Sequence, residues 1–485
     1  MINLNINKEI RKRNIERCRT KNILLPTFEQ MKNPQLIPSN IKEKLKSVGL
    51  WDVNSLNLFR ITWKNEPKPL GGLYGGVNFI EFPKELTGVD AKIVALVGKW
   101  FPTGAHKVGA TYGCLVPALV SGNFDSTAQK AVWPSTGNYC RGGSYNCALL
   151  GCDSIAILPE QMSKERFDWL KKIAGEIIAT PGCESNVKEI FDKCNELKKT
   201  RDDVVIFNQF DEFGNYLWHY EVTASAILEV FEGYKKEGKR LSGFVSATGS
   251  AGTIAAGDRL KQTFGNVKIA ASEALQCPTL LENGFGGHRI EGIGDKHVPW
   301  IHNVKNTDMV IAIDDSDTMS MIRLFNEQEG KNYLLSQGIS NEIVSKLDLL
   351  GISGCSNLLS AIKFAKYYEL NDKDVVFTVL TDSMELYQSR LIELNEQYGR
   401  YTKENAAVDY NKILSGSKID NLCELNYRDR KRIHNLKYFT WVEQQGKTVQ
   451  QINELWYDDD FWTSIQSLTP TIDKMIEQFN QEVLS

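Results

Sequence analysis

The sequence predicts an α/β protein with mainly parallel sheets that are covered by helices on both faces. From about residue 60, short apolar runs rich in β-branched residues alternate with segments of amphipathic helical pattern. Glycine-bearing turns follow several of these runs and precede helices. With 485 residues, of which 42% are hydrophobic and 24% charged, the chain is long enough for two or three packed units.

Each element follows from its own pattern of apolar residues and breakers. Strands are expected at residues 93–97, 131–133, 155–158, 177–179, 204–207, 243–247, 269–272, 310–313 and 375–380. Helices are expected at residues 8–21, 41–48, 108–116, 163–173 and 254–260. Pro117 should end or kink the helix that starts near residue 108. From about residue 401 we expect the strands to stop and the tail to be helical.

Composition excludes several classes of function. The net charge of −3 and the pI near 6.2 give no electrostatic footprint for nucleic acid or for an anionic membrane. The polar N-terminus lacks an apolar signal region, and no apolar run approaches the roughly 20 residues that a membrane helix needs. The ten cysteines form no Cys-x-x-Cys pair and the six histidines lack metal-ligand spacing. We therefore expect reduced cytoplasmic thiols and no metal site.

The segment Phe101-Pro-Thr-Gly-Ala-His-Lys-Val-Gly109 joins the first of these strands to a helix. A lysine at the start of a helix lies near the positive end of its dipole, and burial there lowers the pKa of the amine. A partly neutral amine is a nucleophile that forms a Schiff base with a carbonyl compound. Lys107 is thus a candidate for such a bond, although a lone surface lysine would look the same in isolation.

Two further turns could bind anions. Ser135-Thr136-Gly137-Asn138-Tyr139 follows a strand and opens a helix, so its donors suit a carboxylate or phenolate oxygen, or it is an ordinary N-cap turn. Thr248-Gly-Ser-Ala-Gly-Thr253 likewise follows a strand, and its backbone amides could cradle a phosphate. The second turn has neither the Gly-Lys-Ser/Thr ending of a nucleotide loop nor a Gly-x-Gly-x-x-Gly spacing.

A Schiff-base lysine, an amide turn and a phosphate cup together describe a site for pyridoxal 5'-phosphate, and the chain resembles the fold-type II enzymes that use it. These are the superfamily of cysteine synthase, cystathionine β-synthase and the tryptophan synthase β chain. The resemblance spans roughly residues 60–390 and rests on motifs at 102–107, 135–139, 159–166, 249–253, 290–294 and 351–354. The longest match is Pro159-Glu-Gln-Met-Ser-Lys-Glu-Arg166.

The resemblance implies an architecture. It is a tryptophan synthase β-like core of two three-layer αβα subdomains at residues 60–395, with the cofactor in the cleft between them. An N-terminal extension at residues 1–59 and a helical C-terminal extension at residues 396–485 have no counterpart in the plain cysteine synthase core. A cytoplasmic homodimer is the implied assembly, with a small amino acid as substrate and no nucleic-acid or membrane partner.

The resemblance also implies roles for residues. Lys107 is the catalytic residue and the covalent link to the cofactor. The other cofactor-binding residues would be His106, Asn138, Gly249, Ser250, Ala251, Gly252, Thr253, Gly292 and Ser353, with Ser356 as a rival of Ser353 at the ring nitrogen. The substrate-binding residues would be Ser135, Thr136, Gly137, Tyr139 and Gln209. Ala251 replaces a glycine of the family's phosphate loop, so we expect a negative φ at that position.

The implied reaction takes place at the β-carbon of a small L-amino acid, through an aminoacrylate intermediate. The Gly-Ser-Ala-Gly-Thr turn is closest to the enzymes that perform β-replacement, as cysteine synthase does. β-Elimination, as in a cysteine desulfhydrase or a serine/threonine dehydratase, is the first alternative. A catalytically silent regulatory subunit that binds the cofactor is the second.

Overall fold

The structure, a computed structural model, describes residues 1–68, 72–135 and 137–485. The described residues form two sheets, and every strand expected from the sequence is present. The strands are β1 (Phe79–Phe82), β2 (Lys92–Val97), β3 (Lys130–Pro134), β4 (Ser154–Pro159), β5 (Glu176–Thr180), β6 (Val204–Ile206), β7 (Arg240–Ala247), β8 (Lys268–Ala274), β9 (Met309–Ile313), β10 (Asp374–Leu380) and β11 (Leu422–Glu424).

The larger sheet has the order β1-β2-β10-β7-β8-β9-β11, and the smaller has the order β5-β4-β3-β6. All pairings are parallel except those of the two edge strands of the larger sheet, β1 with β2 and β11 with β9, which are antiparallel. Ligands of parallel sheets bind beyond the carboxyl ends of the strands. The turns after β2, β3, β7 and β10 are therefore where a site is expected.

Helices cover the sheets and form both ends of the chain, which confirms the α/β class. The α-helices are α1 (Lys8–Thr20), α2 (Phe28–Lys32), α3 (Ser39–Leu45), α4 (Lys84–Thr87), α5 (Lys107–Ser121), α6 (Asn138–Leu150), α7 (Lys164–Ile173), α8 (Val187–Thr200), α9 (Phe213–Trp218), α10 (Ala224–Lys236), α11 (Ala255–Phe264), α12 (Thr279–Glu282), α13 (Asp315–Asn326), α14 (Gln328–Ser336), α15 (Asn341–Val344), α16 (Ile352–Tyr367), α17 (Gln388–Tyr398), α18 (Lys403–Asp409), α19 (Tyr427–Lys437), α20 (Val449–Tyr457), α21 (Phe461–Gln466) and α22 (Thr469–Leu484).

Helix α5 carries the candidate lysine and is buried along almost its whole length. Two glycines let other backbone and aromatic groups approach it closely. A Cβ at Gly109 would lie 2.1 Å from the Trp218 indole, and one at Gly113 would lie 2.4 Å from the Gly214 carbonyl oxygen. The helix continues through Pro117 to Ser121, so of the two expected effects, an end or a kink, Pro117 does not cause the first. Burial on all sides stabilises the helix by more than the roughly 3 kcal/mol that an internal proline costs.

The two chain ends pack on each other and on α5. The Leu25 amide donates to Asn480 Oδ1 at 2.9 Å, and the Phe28 amide donates to Asp473 Oδ1 at 2.7 Å. The tail is helical as expected apart from β11, which adds an antiparallel edge strand to the larger sheet and corrects the expectation that strands stop near residue 401. In the described part of the chain, no helix combines the length and the apolar character needed to cross a membrane.

Candidate active site

Lys107 is the first residue of α5 and lies close to the turn that follows β7. Its Nζ donates a hydrogen bond to Ser250 Oγ at 3.0 Å. Burial lowers the pKa of the amine to about 8, although the carboxylates of Asp295 and Glu184 oppose that shift. Near neutral pH a useful fraction of this amine is therefore unprotonated, as a nucleophile or a proton acceptor requires.

Several segments that are distant in the sequence meet around Lys107. They enclose a cavity of about 30 Å³, lined by Lys107, Ser135, Asn138, Tyr139, Arg166, Glu184, Gln209, Phe210, Gly249, Ser250, Gly292, Asp295 and Thr381. Hydrogen bonds from Lys107 to Ser250 and from Asn138 to Asp382 hold side chains close together here. A ligand larger than a water molecule would have to part these side chains and take over their hydrogen bonds.

The turn after β3 is held by one hydrogen bond to the neighbouring strand β4 and by one to its own serine side chain. The Ser135 amide donates to the Ile157 carbonyl at 2.9 Å, and the Gly137 amide donates to Ser135 Oγ at 2.9 Å. Gly137 has a φ of +153°, and a Cβ there would lie 2.3 Å from the Arg166 guanidinium, so only glycine fits. Thr136, which the sequence also predicts to bind substrate, lies outside the described residues.

Asn138 is the first residue of α6. Its Nδ2 donates to Asp382 Oδ2 at 2.5 Å, whereas its buried Oδ1 has no partner among the described residues. The neighbouring Tyr139 also lines the cavity. Its hydroxyl group donates to Cys114 Sγ of α5 at 3.4 Å.

Most backbone amides of the turn after β7 are not used in hydrogen bonds within the described part of the chain. Among the described residues, the N–H groups of Gly249, Ser250, Ala251 and Thr253 have no acceptor, while that of Gly252 donates to Ser250 Oγ at 3.3 Å. The N-terminus of α11 follows directly, so its dipole adds to the attraction for an anion. These donors suit a phosphate.

Ala251 corrects one expectation. Its φ is +57°, not negative, so the alanine adopts the left-handed conformation that a glycine would take at this point of the turn. That conformation costs an L-residue roughly 1–2 kcal/mol. A Cβ at the adjacent Gly252 would lie 2.1 Å from Asn215 Oδ1, so this second glycine is required by contact and not by φ.

His106 and Ser353 lie behind the cavity wall. His106 is buried, its Nε2 is 3.2 Å from Thr381 Oγ1, and its Nδ1 has no partner among the described residues. Burial, reinforced by the Lys107 charge, lowers the pKa of His106 well below its usual value, so the ring is neutral. Ser353 lies beneath Gly292, where a Cβ would come within 3.6 Å of the Ser353 Oγ. Thr381, which follows β10, lines the cavity, whereas Ser353 is not among its lining residues.

A buried ionic network forms the opposite wall, and sequence reasoning missed most of it. Arg166 Nη1 pairs with Glu291 Oε2 at 2.8 Å, and Arg166 Nη2 donates to the Tyr387 hydroxyl at 2.7 Å. Tyr387 in turn donates to Asp382 Oδ2 at 2.6 Å. Arg166 closes the motif at 159–166 and Glu291 lies within the motif at 290–294, but no local signal in the sequence indicates that they pair or that Asp382 joins them.

The residues present fit pyridoxal 5'-phosphate. The free amides of residues 249–253 could hold its phosphate, the Asn138 amide group its phenolic oxygen, and the Lys107 amine its aldehyde carbon. The buried Oδ1 of Asn138 lacks a partner among the described residues, which is costly for a polar atom unless a ligand supplies one.

Comparison with known proteins agrees with this chemistry. A family profile described as pyridoxal-phosphate dependent enzyme matches residues 99–334. A cysteine synthase from Staphylococcus aureus is 30% identical over 259 residues, which cover 53% of this chain and 75% of that protein.

Solved structures are similar as well. The O-acetyl serine sulfhydrylase isoform 3 of Entamoeba histolytica has a TM-score of 0.57 at 24% identity, covering 70% of this chain and 94% of that one. A hydrogen sulfide-producing enzyme of Fusobacterium nucleatum has a TM-score of 0.53 at 25% identity, covering 69% and 92%.

The chain therefore belongs to the pyridoxal-phosphate dependent enzyme family. It is an enzyme of the cysteine synthase type, and its cofactor is pyridoxal 5'-phosphate. The resemblance and the cofactor predicted from the sequence are thus confirmed.

Proposed function

We propose that this enzyme performs β-replacement on a small L-amino acid, as cysteine synthase does. One observation carries the proposal: the Lys107 amine lies in one cavity with residues of both anion-binding turns, Ser135 and Asn138 from one and Gly249 and Ser250 from the other. An amino-acid substrate that carries a carboxylate would thus be held beside the group that must exchange protons with it. The cysteine synthase relatives support the same assignment.

We further propose roles for the residues of the site. The N-terminus of α6, with Ser135 and Gly137, holds the substrate carboxylate, because amides at a helix N-terminus favour an anion. Gln209 lines the same side of the cavity. When bound, pyridoxal phosphate supplies an electron sink for the charge that develops at the α-carbon. Lys107, as the neutral amine, accepts the α-proton at Nζ and later returns it.

The domain division and the assembly are proposals of the same kind. We propose a catalytic core at residues 60–395 with extensions at 1–59 and 396–485 that form one helical unit, since Arg11 of α1 and Glu482 of α22 pair at 2.7 Å.

We also propose a homodimer in the cytoplasm, on the resemblance to cysteine synthases. Light scattering of the purified protein tests the dimer by its mass, twice 54.8 kDa.

The experiment that tests the reaction uses O-acetylserine with and without sulfide. We expect cysteine to form when sulfide is present and little pyruvate in either reaction. Lys107→Ala is the control, because it removes the proposed base and should form neither product. Pyruvate at equal rates in both reactions would contradict β-replacement and favour β-elimination. A protein that binds the cofactor but forms no product from any amino acid would favour the silent subunit.

A further inference from the structure

Asp295 is a buried carboxyl group that the proposed roles leave unused. It follows the 290–294 segment, is only 5% exposed, and lines the same cavity as Lys107. Its Oδ2 has no hydrogen-bond partner among the described residues. Thr279 Oγ1 donates to the Asp295 backbone carbonyl at 2.7 Å, which fixes the main chain at this point. The carboxyl group is therefore held at the cavity while one of its oxygens lacks a protein partner.

The charges around Asp295 favour its protonated form. Burial raises its pKa well above the usual value, and the Glu184 carboxylate raises it further, while Lys107 opposes them. Glu184 is kept in place by the Gly292 amide, which donates to its Oε1 at 2.9 Å. Arg166, the other cation of the cavity, pairs with Glu291 at 2.8 Å. A carboxyl that stays protonated near neutral pH can act as a general acid.

We propose that Asp295 is a second catalytic residue, which gives a proton to the group that leaves the β-carbon, and that the donor is an amino acid with a free β-hydroxyl or β-thiol. This inference rests on the proposed function at Lys107. Acetate is a weak base and departs without a proton, whereas hydroxide and thiolate leave much faster when they are protonated. A general acid in this cavity therefore points to serine or cysteine as the donor class.

The protons and electrons balance without any further reactant. Lys107 Nζ takes the α-proton, the Cα–H electron pair becomes the second Cα–Cβ bond, and the Cβ–X bond breaks with both electrons on X, which takes the Asp295 proton. In the replacement half, an incoming thiol gives its proton to the Asp295 carboxylate and its sulfur bonds to Cβ. Lys107 then returns its proton to Cα. Both residues end in their starting forms.

The test compares donors in the wild-type holoenzyme and in Asp295→Asn. We expect kcat with L-serine or L-cysteine to fall by about 10²-fold or more, the range for loss of a general acid, and kcat with O-acetyl-L-serine to change little. Asp295→Glu should restore part of the lost activity. An equal loss with all three donors would overturn the proposal, because it would mean that Asp295 only supports the structure.

Asp258→Asn is a matched control. Asp258 is also buried and its pKa is also raised by burial, but its Oδ2 accepts hydrogen bonds from Tyr216 at 2.6 Å and from Asn303 at 2.8 Å, away from the cavity. This variant should lower the thermal midpoint and leave the ratio of serine to O-acetylserine turnover unchanged. A change of that ratio as large as in Asp295→Asn would contradict a specific role for Asp295.

Two readouts keep the proposal testable if Asp295→Asn folds poorly. In the wild type, kcat with serine should fall at alkaline pH as Asp295 ionises, and kcat with O-acetylserine should lack that decline. The infrared difference spectrum of wild type minus Asp295→Asn at neutral pH should contain the band of a protonated carboxyl, and that difference band should disappear at high pH as Asp295 ionises. If the wild type turns over none of the donors but shows the band, the proposed function is refuted while the protonation of Asp295 stands. If the donors are turned over but the band is absent, only the inference about Asp295 is refuted.

Discussion

The two walls of the active-site cavity are built from different chemistry. The groups that form hydrogen bonds next to Lys107 are neutral: Lys107 Nζ donates to Ser250 Oγ at 3.0 Å, and Asn215 Nδ2 donates to the same oxygen at 3.1 Å, while Asp295 and Glu184 act on the amine through their charge. The opposite wall consists of charged groups that already neutralise one another, with Arg166 and Glu291 at its centre. Neutral donors are suited to bind a charged ligand. Ion pairs already satisfy one another, so that wall needs no ligand to be stable.

This difference predicts that substitutions next to Lys107 lower turnover. Substitutions in the ionic network around Arg166 should instead lower the free energy of unfolding. A hydroxyl or amide in the lysine wall can lose its protein partner to a ligand at little cost. A buried ion that loses its partner leaves an uncompensated charge, which costs several kcal/mol.

Lys107→Ala should abolish the covalent link to the cofactor and lower turnover by about 10³-fold or more, because both the nucleophilic amine and the proton acceptor are lost. The visible absorbance of the purified protein and its turnover of O-acetylserine measure this. The thermal midpoint without cofactor should not fall, since removing a buried amine removes a desolvation cost. A variant that keeps the bound-cofactor spectrum would contradict the role of Lys107.

Arg166→Ala should lower the free energy of unfolding by about 3–5 kcal/mol, because it removes a fully buried cation from the Tyr387 hydroxyl and from Glu291, which is left with Arg390 at 2.8 Å. Urea unfolding followed by fluorescence measures the change. Arg201→Ala is the control, since Arg201 pairs with Asp203 and Glu176 near the surface and such pairs contribute little. Equal destabilisation by the two variants would mean that the ionic wall has no special structural role.

The pH dependence of cofactor attachment should report the lowered pKa of Lys107. Below about pH 8, the rate at which the cofactor-free protein takes up pyridoxal phosphate should rise tenfold per pH unit, and above about pH 8 it should level off. Stopped-flow absorbance measures the rate, with Nα-acetyl-lysine as the control, whose ordinary amine keeps gaining reactivity up to about pH 10.4. A protein profile that follows the free lysine would mean that Lys107 is solvated.

Ala251→Gly should change the free energy of unfolding least, with a gain of about 1 kcal/mol or less. It relieves the positive φ of +57°, and the greater freedom of glycine in the unfolded chain offsets part of that gain. Ala251→Val should be destabilising, because a β-branched residue tolerates that conformation worse. Thermal unfolding of the three proteins measures this, and a stabilising valine would contradict the observed conformation.

Local patterns in the sequence were enough for much of the fold and for the lysine wall. Most strands after residue 60 are short apolar runs. The turns at 135–139 and 249–253 are recognised by glycines and small hydroxyl residues next to such runs. Lys107, Asn138 and Ser250 were predicted because each belongs to a contiguous turn. A contiguous turn carries its own geometry, since its donors are set by the φ and ψ angles of a few neighbouring residues.

Only the tertiary structure decided the rest. Asn138 and Asp382 lie 244 residues apart in sequence and yet form one hydrogen bond. Asp295 directly follows the 290–294 motif, but the sequence does not show that its side chain and that of Glu184 line the same buried cavity. Strand β11 also depends on tertiary structure, because it forms by pairing with the edge strand β9 of the larger sheet. Pro117 and Ala251 have locally unfavourable backbone conformations, whose cost is outweighed by packing. The two turns that line the cavity were recognisable in the sequence, because turn geometry is local. Which charged groups line the cavity with them depended on how distant segments pack, because the energy of a buried charge is set by its neighbours in space.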